Sequence, residues 1–176
     1  MLELNSMGLF SHLAITAGTV QLAFNNLDMQ YYLTDYGIWL ELYVYGVLRE
    51  SGLFDSVETS VVVSWDNDDD PMNNIENEID VVGMRGIGQL FISCKTGTAD
   101  QFTLNELFTL TRRFGSKYAA AALVCLRDIR SESPKLMIRA EQLGITIICG
   151  EDLKREVLLK KIASITQRWK NETDPG

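Results

Sequence analysis

Glu78, Asp80 and Lys95 are two acids and a base carried on what reads as one tight hairpin, NEIDVVGMRGIGQLFISCKT at residues 77–96. Ile79, Val81 and Val82 precede a Gly86-Ile87 loop, and Leu90, Phe91 and Ile92 follow it. Glycine at the first central position is what a two-residue type II′ turn needs, because φ is positive there. With Gly86-Ile87 as the loop, Asp80 is expected opposite Ser93 and Glu78 opposite Lys95, with facing Cβ atoms roughly 5 Å apart. Strand alternation then puts Glu78, Asp80, Ser93 and Lys95 on one face, and Ile79, Val81, Ile92 and Cys94 on the other. Carboxylates beside a lysine suit phosphodiester cleavage with a hard divalent ion. Oxygen ligands hold the ion, and the lysine stabilises charge growing on the phosphate.

The element before the hairpin supplies a third acid. Residues 36–50 read as a helix that is apolar nearly all round and ends near Gly52. Glu41 falls on its stripe of Ile38, Glu41, Tyr45 and Leu48, where a carboxylate is desolvated unless it has a partner. At the edge of the stripe it would simply reach water. Glu41 and Asp80 are therefore the expected ligand pair for Mg²⁺ or Mn²⁺, with the Cys94 backbone carbonyl as a third ligand. Glu78 either pairs with Lys95 or joins the ligand set. Lys95 is expected to act on the scissile phosphate or to position the attacking water.

The remaining elements frame these residues. Residues 57–65 alternate and then run apolar, as a first strand would. The acidic run at 66–70 lacks the glycine and the closing glutamate of a calcium loop and reads as a solvated turn. Thr103 and Glu106 fit a capping box, with Phe102 and Leu107 as its hydrophobic staple. The helix they open turns Leu104, Leu107, Phe108, Thr111 and Phe114 inward and ends at Gly115. Arg112, Arg113 and Lys117 cluster at its end. They are candidates for nucleic-acid phosphate contacts, and equally cations that complement the helix dipole. Residues 118–126 read as a buried strand, and Ser133-Pro134 opens a helix that stops at Gly144. A short strand at 145–149 and a closing helix at 151–169 follow, with 170–176 frayed. The fold expected is α/β, in the order α-β-β-β-α-β-α-β-α, with a mixed central sheet flanked by helices. Residues 1–34 are expected to form a separate helical segment, with the helix over 9–27, and residues 35–170 the main domain.

Composition narrows the function classes. A chain of 176 residues supports one domain with a substantial core. A formal charge of −8 excludes a generally basic nucleic-acid coat, so any such contact must be local. One histidine, His12, excludes multi-histidine zinc sites. Cys94, Cys125 and Cys149 are spread over apolar runs with no metal-ligand or oxidoreductase spacing, as buried reduced thiols are. No signal peptide and no membrane-spanning run is visible, which makes the expected location cytoplasmic.

The blocks GIWLELYVY, NEIDVV, LFISCKTG and ELFTLTRRFGSKYAAAALV, in that order over roughly residues 36–150, resemble the PD-(D/E)xK superfamily with its restriction-endonuclease-like core. More narrowly, they look like the nuclease domain of CRISPR-associated nucleases that carry a cyclic-oligoadenylate-sensing CARF domain. The resemblance implies metal-dependent cleavage of DNA or RNA by a homodimer, in antiviral defence. Ser93 departs from the pattern, whose second acid stands two residues before the lysine. A catalytically degenerate relative, acting as a nucleic-acid-binding or scaffold subunit, is the alternative. The chain leaves no room for a CARF sensor, so a cyclic-nucleotide signal is expected to come from a separate partner.

Overall fold

Gly86 stands at φ 53°, the positive value a two-residue hairpin loop demands of its first residue. Around it, β4 (Glu76–Arg85) and β5 (Gly88–Lys95) pair antiparallel from Arg85↔Gly88 to Val81↔Ile92, the expected register. The structure, a computed structural model, describes residues 10–16, 19–27, 30, 37–65 and 75–173. The acidic run at 66–70 lies outside them.

The chain divides into two compact units, Met1–Trp39 and Leu40–Gly176. Within the first, β1 (Phe10–Thr16) and β2 (Thr19–Phe24) form an antiparallel hairpin, with Phe10 and Phe24 edge to face at 5.1 Å. The helix expected over 9–27 is thus corrected to two strands. Ile15, Thr16, Thr19 and Val20 are β-branched and favour the extended backbone over a helix.

In the second unit the sheet order is β3-β4-β5-β6-β7, where β3 is Ser56–Ser64, β6 is Ala119–Cys125 and β7 is Ile145–Cys149. β3, β4 and β5 run antiparallel, and β5, β6 and β7 run parallel. The helices are α1 (Ile38–Glu50), α2 (Gln101–Phe114), α3 (Pro134–Leu143) and α4 (Arg155–Thr173), with a 3-10 turn at Gly150–Leu153. The expected α/β order and mixed sheet flanked by helices are borne out. α4 continues through Thr173, beyond the expected end at 169.

Leu104, Leu107 and Leu110 of α2 and Leu136 and Ala140 of α3 pack with Phe91, Ala121, Leu123, Ile145 and Ile147 on one face of the sheet. The alternate residues Leu90, Ile92, Ala122, Val124 and Ile148 are fully buried as well. They form the other face, toward α4 with its buried Leu158 and Ile162. Each buried Leu, Ile, Val or Phe among them contributes roughly 2 kcal/mol by leaving water. Gly88 lets this layer close, because a Cβ there would overlap the Trp169 indole. α1 runs beside the start of α4, tied by Tyr43 Oη to the Leu153 carbonyl at 2.5 Å and by Arg155 to Glu50 at 2.8 Å.

The start of α2 differs from expectation. Its N-cap is Asp100, whose Oδ1 accepts the Thr103 N–H at 2.9 Å and the Thr103 hydroxyl at 3.1 Å. Thr103 therefore lies inside the helix, and Phe102, 73% exposed, makes no staple. Glu106 is released from capping and accepts the Asn77 amide at 3.0 Å, while Asn77 accepts the Trp65 indole N–H at 2.5 Å. Cys94, Cys125 and Cys149 are buried and unbridged, as expected.

Candidate active site

The site is a fork in the sheet. In a two-residue hairpin the flanking pair Arg85/Gly88 exchanges both main-chain bonds. Every second pair does likewise, so Gly83/Leu90 and Val81/Ile92 would be followed by Ile79/Cys94. The ladder stops at Val81↔Ile92 instead. Beyond that point the Asp80 carboxylate takes the place of a strand: its Oδ2 accepts the Cys94 N–H at 2.5 Å and the Ser93 hydroxyl at 3.2 Å. The N–H and C=O of one residue in a strand point to the same side, so the Cys94 carbonyl also faces the fork. Lys95 follows, its own carbonyl held from the β6 side by the Leu126 N–H at 3.0 Å.

β4 stays paired to β3 across the fork but changes face there. Val82, opposite Phe91, packs against the cluster under α2, so plain alternation would send Ile79 to the other side. Ile79 joins that same cluster, with Val61 and Val63 of β3 beside it. The expected grouping of Ile79 with Val81 on one face is therefore corrected. The register of β3 against β4 runs unbroken on both sides of the change, from Thr59↔Val81 to Val61↔Ile79, which leaves Ser60 opposite Asp80 with neither in the pairing. Ser60 has φ 53°, and the Thr59 hydroxyl donates to the Asp80 carbonyl at 2.9 Å. These two residues escape a reading of the sequence, whose only sign of them is a hydroxyl pair interrupting a valine-rich strand.

Glu41, in the first turn of α1, is half-buried, and its pKa is pushed up to about 7 by that burial and by the negative charges of Asp80 and Glu78, against a lowering by Lys95. The Asp80 carboxyl is also held above its usual range, first by burial, and Glu78 adds to this. The Cys94 N–H, Lys95 and the Ser93 hydroxyl oppose the shift. Glu41, Glu78, Asp80, Ser93, Cys94 and Lys95 are thus one electrostatic neighbourhood. Glu78 is exposed and makes no ion pair with Lys95 among the described residues, so the expected direct pairing is not made.

Among the described residues no three His, Cys, Asp or Glu side chains converge tightly enough to hold an ion by themselves. Two carboxylates, a main-chain carbonyl and water are nevertheless a donor set of the kind magnesium takes, since it keeps several waters and needs only one or two carboxylates. Burial that raises both carboxyls, with the negative charge that adds to it at Glu41, is a penalty that a divalent cation would offset.

The basic residues lie elsewhere. α2 leaves from the Lys95 end of β5 and returns to the start of β6, where Gln89 pairs with Ala119. Ser116 fastens this return to the hairpin loop, its N–H donating to Gln89 Oε1 at 2.6 Å and its hydroxyl to the Ile87 carbonyl at 3.0 Å. Arg112 and Arg113 are exposed in the last turn of α2, and Lys117 lies with Nζ 4.6 Å from the Tyr118 ring centre. Gln89 and Lys95 stand six residues apart, roughly 20 Å along a strand. Arg112, Arg113 and Lys117 are therefore not brought together with Lys95.

No helix among the described residues is long and apolar enough to cross a membrane. Among solved structures, the chain is similar to protein VC1899 from Vibrio cholerae, with 23% identity and a TM-score of 0.70, covering 93% of this chain and 42% of that one. It is also similar to Can2 from Sulfobacillus thermosulfidooxidans, solved with cyclic tetra-adenylate, with 18% identity and a TM-score of 0.58, covering 92% of this chain and 43% of that one. The chain thus spans less than half the length of either structure. No curated protein matches it. Residues 30–170 match the family described as Card1-like, endonuclease domain, a span that takes in α1, the whole five-stranded sheet and the fork, and the chain belongs to that family.

Proposed function

We propose that this chain is a metal-dependent nuclease that cleaves phosphodiester bonds of DNA or RNA at the β4–β5 fork. The observation that carries the reading is the Glu41–Asp80 pair, two part-buried carboxylates both raised first by burial, with the negative charges of Asp80 and Glu78 adding to the shift at Glu41, and with Lys95 alongside. Glu41, Asp80 and the Cys94 carbonyl would hold Mg²⁺ or Mn²⁺, with Glu78 at the margin of the set. Bound there, the ion supplies charge to a phosphate oxygen and acidifies a water. Lys95 donates from Nζ to a non-bridging phosphate oxygen and stabilises the charge that grows on it in the transition state. The Cys94 N–H and Ser93 hydroxyl fix Asp80 so that no reorganisation is needed during reaction. Glu41 must be ionised to serve as a ligand, so ion binding and cleavage rise with pH through about 7. Arg112, Arg113 and Lys117 would contact phosphates distant from the scissile one, with no reading of bases.

Membership in this family supports an endonuclease. We place it in CRISPR-associated antiviral defence, acting in the cytoplasm as a homodimer. Can2 binds cyclic tetra-adenylate, and a signal of that class would reach this nuclease through a sensor other than the residues of the fork.

A specific observation favours a second reading. Ser93 stands where the nuclease pattern has its second acid, and a hydroxyl is a poorer ligand than a carboxylate. A degenerate relative would keep the fold and bind nucleic acid without cutting it. Incubation with single- and double-stranded DNA and RNA, in Mn²⁺, Mg²⁺ or chelator, separates the two. Cleavage of at least one substrate that chelator abolishes is the expected result; binding without cleavage in either ion establishes the scaffold.

A further inference from the structure

We propose that Thr59 and Ser60 are positioning residues that hold the β4–β5 fork open and aim the Asp80 carboxylate at the Cys94 main chain. The proposal deepens the reading of the same site and rests on it for the importance of Asp80, while its geometry is independent of any ion.

Ser60 is the only non-glycine residue with positive φ among the described residues. That conformation is disfavoured for any residue with a Cβ, and it persists only where the surroundings impose it. It occurs directly across from Asp80, between two stretches whose registers agree. With its backbone turned, Ser60 cannot pair with the Asp80 main chain, and the Thr59 hydroxyl takes the Asp80 carbonyl instead.

The consequence for β4 follows from hydrogen-bond parity. On the hairpin side of Asp80, Val81 and Gly83 point their main-chain groups at β5, as the loop dictates. On the far side the Trp65 N–H donates to the Ile75 carbonyl at 3.0 Å. Odd-numbered residues there, Ile79 included, point at β3. The reversal takes place across Asp80. It removes the Ile79 carbonyl that would have accepted the Cys94 N–H, and the Asp80 carboxylate accepts that N–H instead. It also carries Ile79 to the α2 side of the sheet. A regular β3 would let the β4–β5 ladder run on through Ile79/Cys94 and close the fork. Irregular edge strands also serve to block unwanted pairing between chains, and that role would leave Asp80 indifferent to Thr59.

Hydrogen exchange of the Cys94 amide, followed by NMR on the ion-free protein, reads the position of the Asp80 carboxylate directly. Thr59→Val, which keeps the shape and removes the hydroxyl, is expected to speed Cys94 exchange about 10-fold, the size of one lost hydrogen bond, and to leave Ile92 and Val124 unchanged. Thr59→Ser should restore exchange to near the wild-type rate. Ser60→Gly, at ease with positive φ, should keep Cys94 protected, and Ser60→Val should not. Mn²⁺ affinity is expected to fall about 10-fold in Thr59→Val and to recover in Thr59→Ser, following the loss of the same bond. Unchanged Cys94 exchange in both valine variants overturns the proposal, and so does a uniform speeding of all strand amides. A wild type that ignores Mn²⁺ removes the metal reading alone, because Cys94 exchange still decides the role of Thr59 and Ser60.

Discussion

Two groups of acids sit on this sheet, and the protein treats them in opposite ways. Asp152, 7% exposed in the 3-10 turn that follows β7, is surrounded by donors. Its Oδ2 meets the Arg130 guanidinium, the Lys161 ammonium at 3.1 Å and the Cys149 N–H at 3.2 Å. Glu41 and Asp80 are also withdrawn from water, yet Glu41 faces the negative charges of Asp80 and Glu78 with only partial relief from Lys95, and Asp80 stays above its usual range although the Cys94 N–H and Lys95 oppose the shift. An acid kept for stability is given cations from its own chain. The fork gives its acids a single lysine, which is costly for the isolated protein and would suit a divalent ion taken from solution.

Breaking each group should therefore fail in a different way. Asp80→Asn keeps the shape and removes the charge. It is expected to cut cleavage roughly 1000-fold, about 4 kcal/mol of transition-state stabilisation, with melting temperature in chelator unchanged or higher. Steady-state cleavage and a thermal melt on the same preparation check both halves. Asp152→Ala should do the reverse, costing about 3 kcal/mol of stability because Arg130 and Lys161 lose their counter-charge, while Mn²⁺ affinity holds. Urea titration paired with calorimetry would show it. Stability unchanged by Asp152→Ala would erase the contrast.

A smaller effect sharpens the comparison through pH. The Glu41 pKa is raised on folding, so the native state binds more protons than the unfolded chain between about 4.5 and about 7. Stability in chelator thus falls as pH rises through that window, and the loss persists above it. Glu41→Gln removes the penalty. It should raise stability at pH 8 by about 1 kcal/mol, once screening at this half-exposed group is allowed for, and very little at pH 5. Equal gains at the two pH values would deny Glu41 its strained ionisation. Smallest is the effect of the distant cations: Arg112→Ala with Arg113→Ala should weaken nucleic-acid binding evenly across sequences and reduce the salt slope by about 2. An unchanged slope makes them helix-end cations only.

The hairpin is legible because Gly86 at the first loop position sets its register, and the register sets who faces whom. The elements after it were legible from punctuation: Ser133-Pro134 and Gly144 bound α3 where they stand in the chain. The start of α2 was not, because two capping signals compete within four residues. Asp100 prevails over Thr103, since its carboxylate takes both the N–H and the hydroxyl of Thr103 itself. The first hairpin is hidden because Leu13, Ala17 and Val20 also fall at helical spacing. Bringing Glu41, Asp80 and Lys95 together follows from strand order, which the pattern of elements implies. The fork does not, because it depends on a backbone angle at Ser60 that no residue type announces. The remoteness of Arg112 was implicit in the parallel crossover, which obliges α2 to end at the far side of β5 from Lys95.

If Glu41 and Asp80 hold a divalent cation, as proposed, the ion stabilises the folded protein, and thermal melting with and without Mn²⁺ reads this directly. At 100 times the dissociation constant a bound ion adds about 2.7 kcal/mol, which in a chain of this size raises the melting temperature by roughly 5–10 °C. Wild type is expected to show this rise, Ser93→Glu a larger one because it adds a charged oxygen beside Asp80, and Asp80→Asn none. Without an ion, Ser93→Glu should melt below wild type at neutral pH, since a further acid then crowds Asp80 and Glu78. A wild type and a Ser93→Glu variant that both melt at the same temperature with Mn²⁺ as without it would contradict the account.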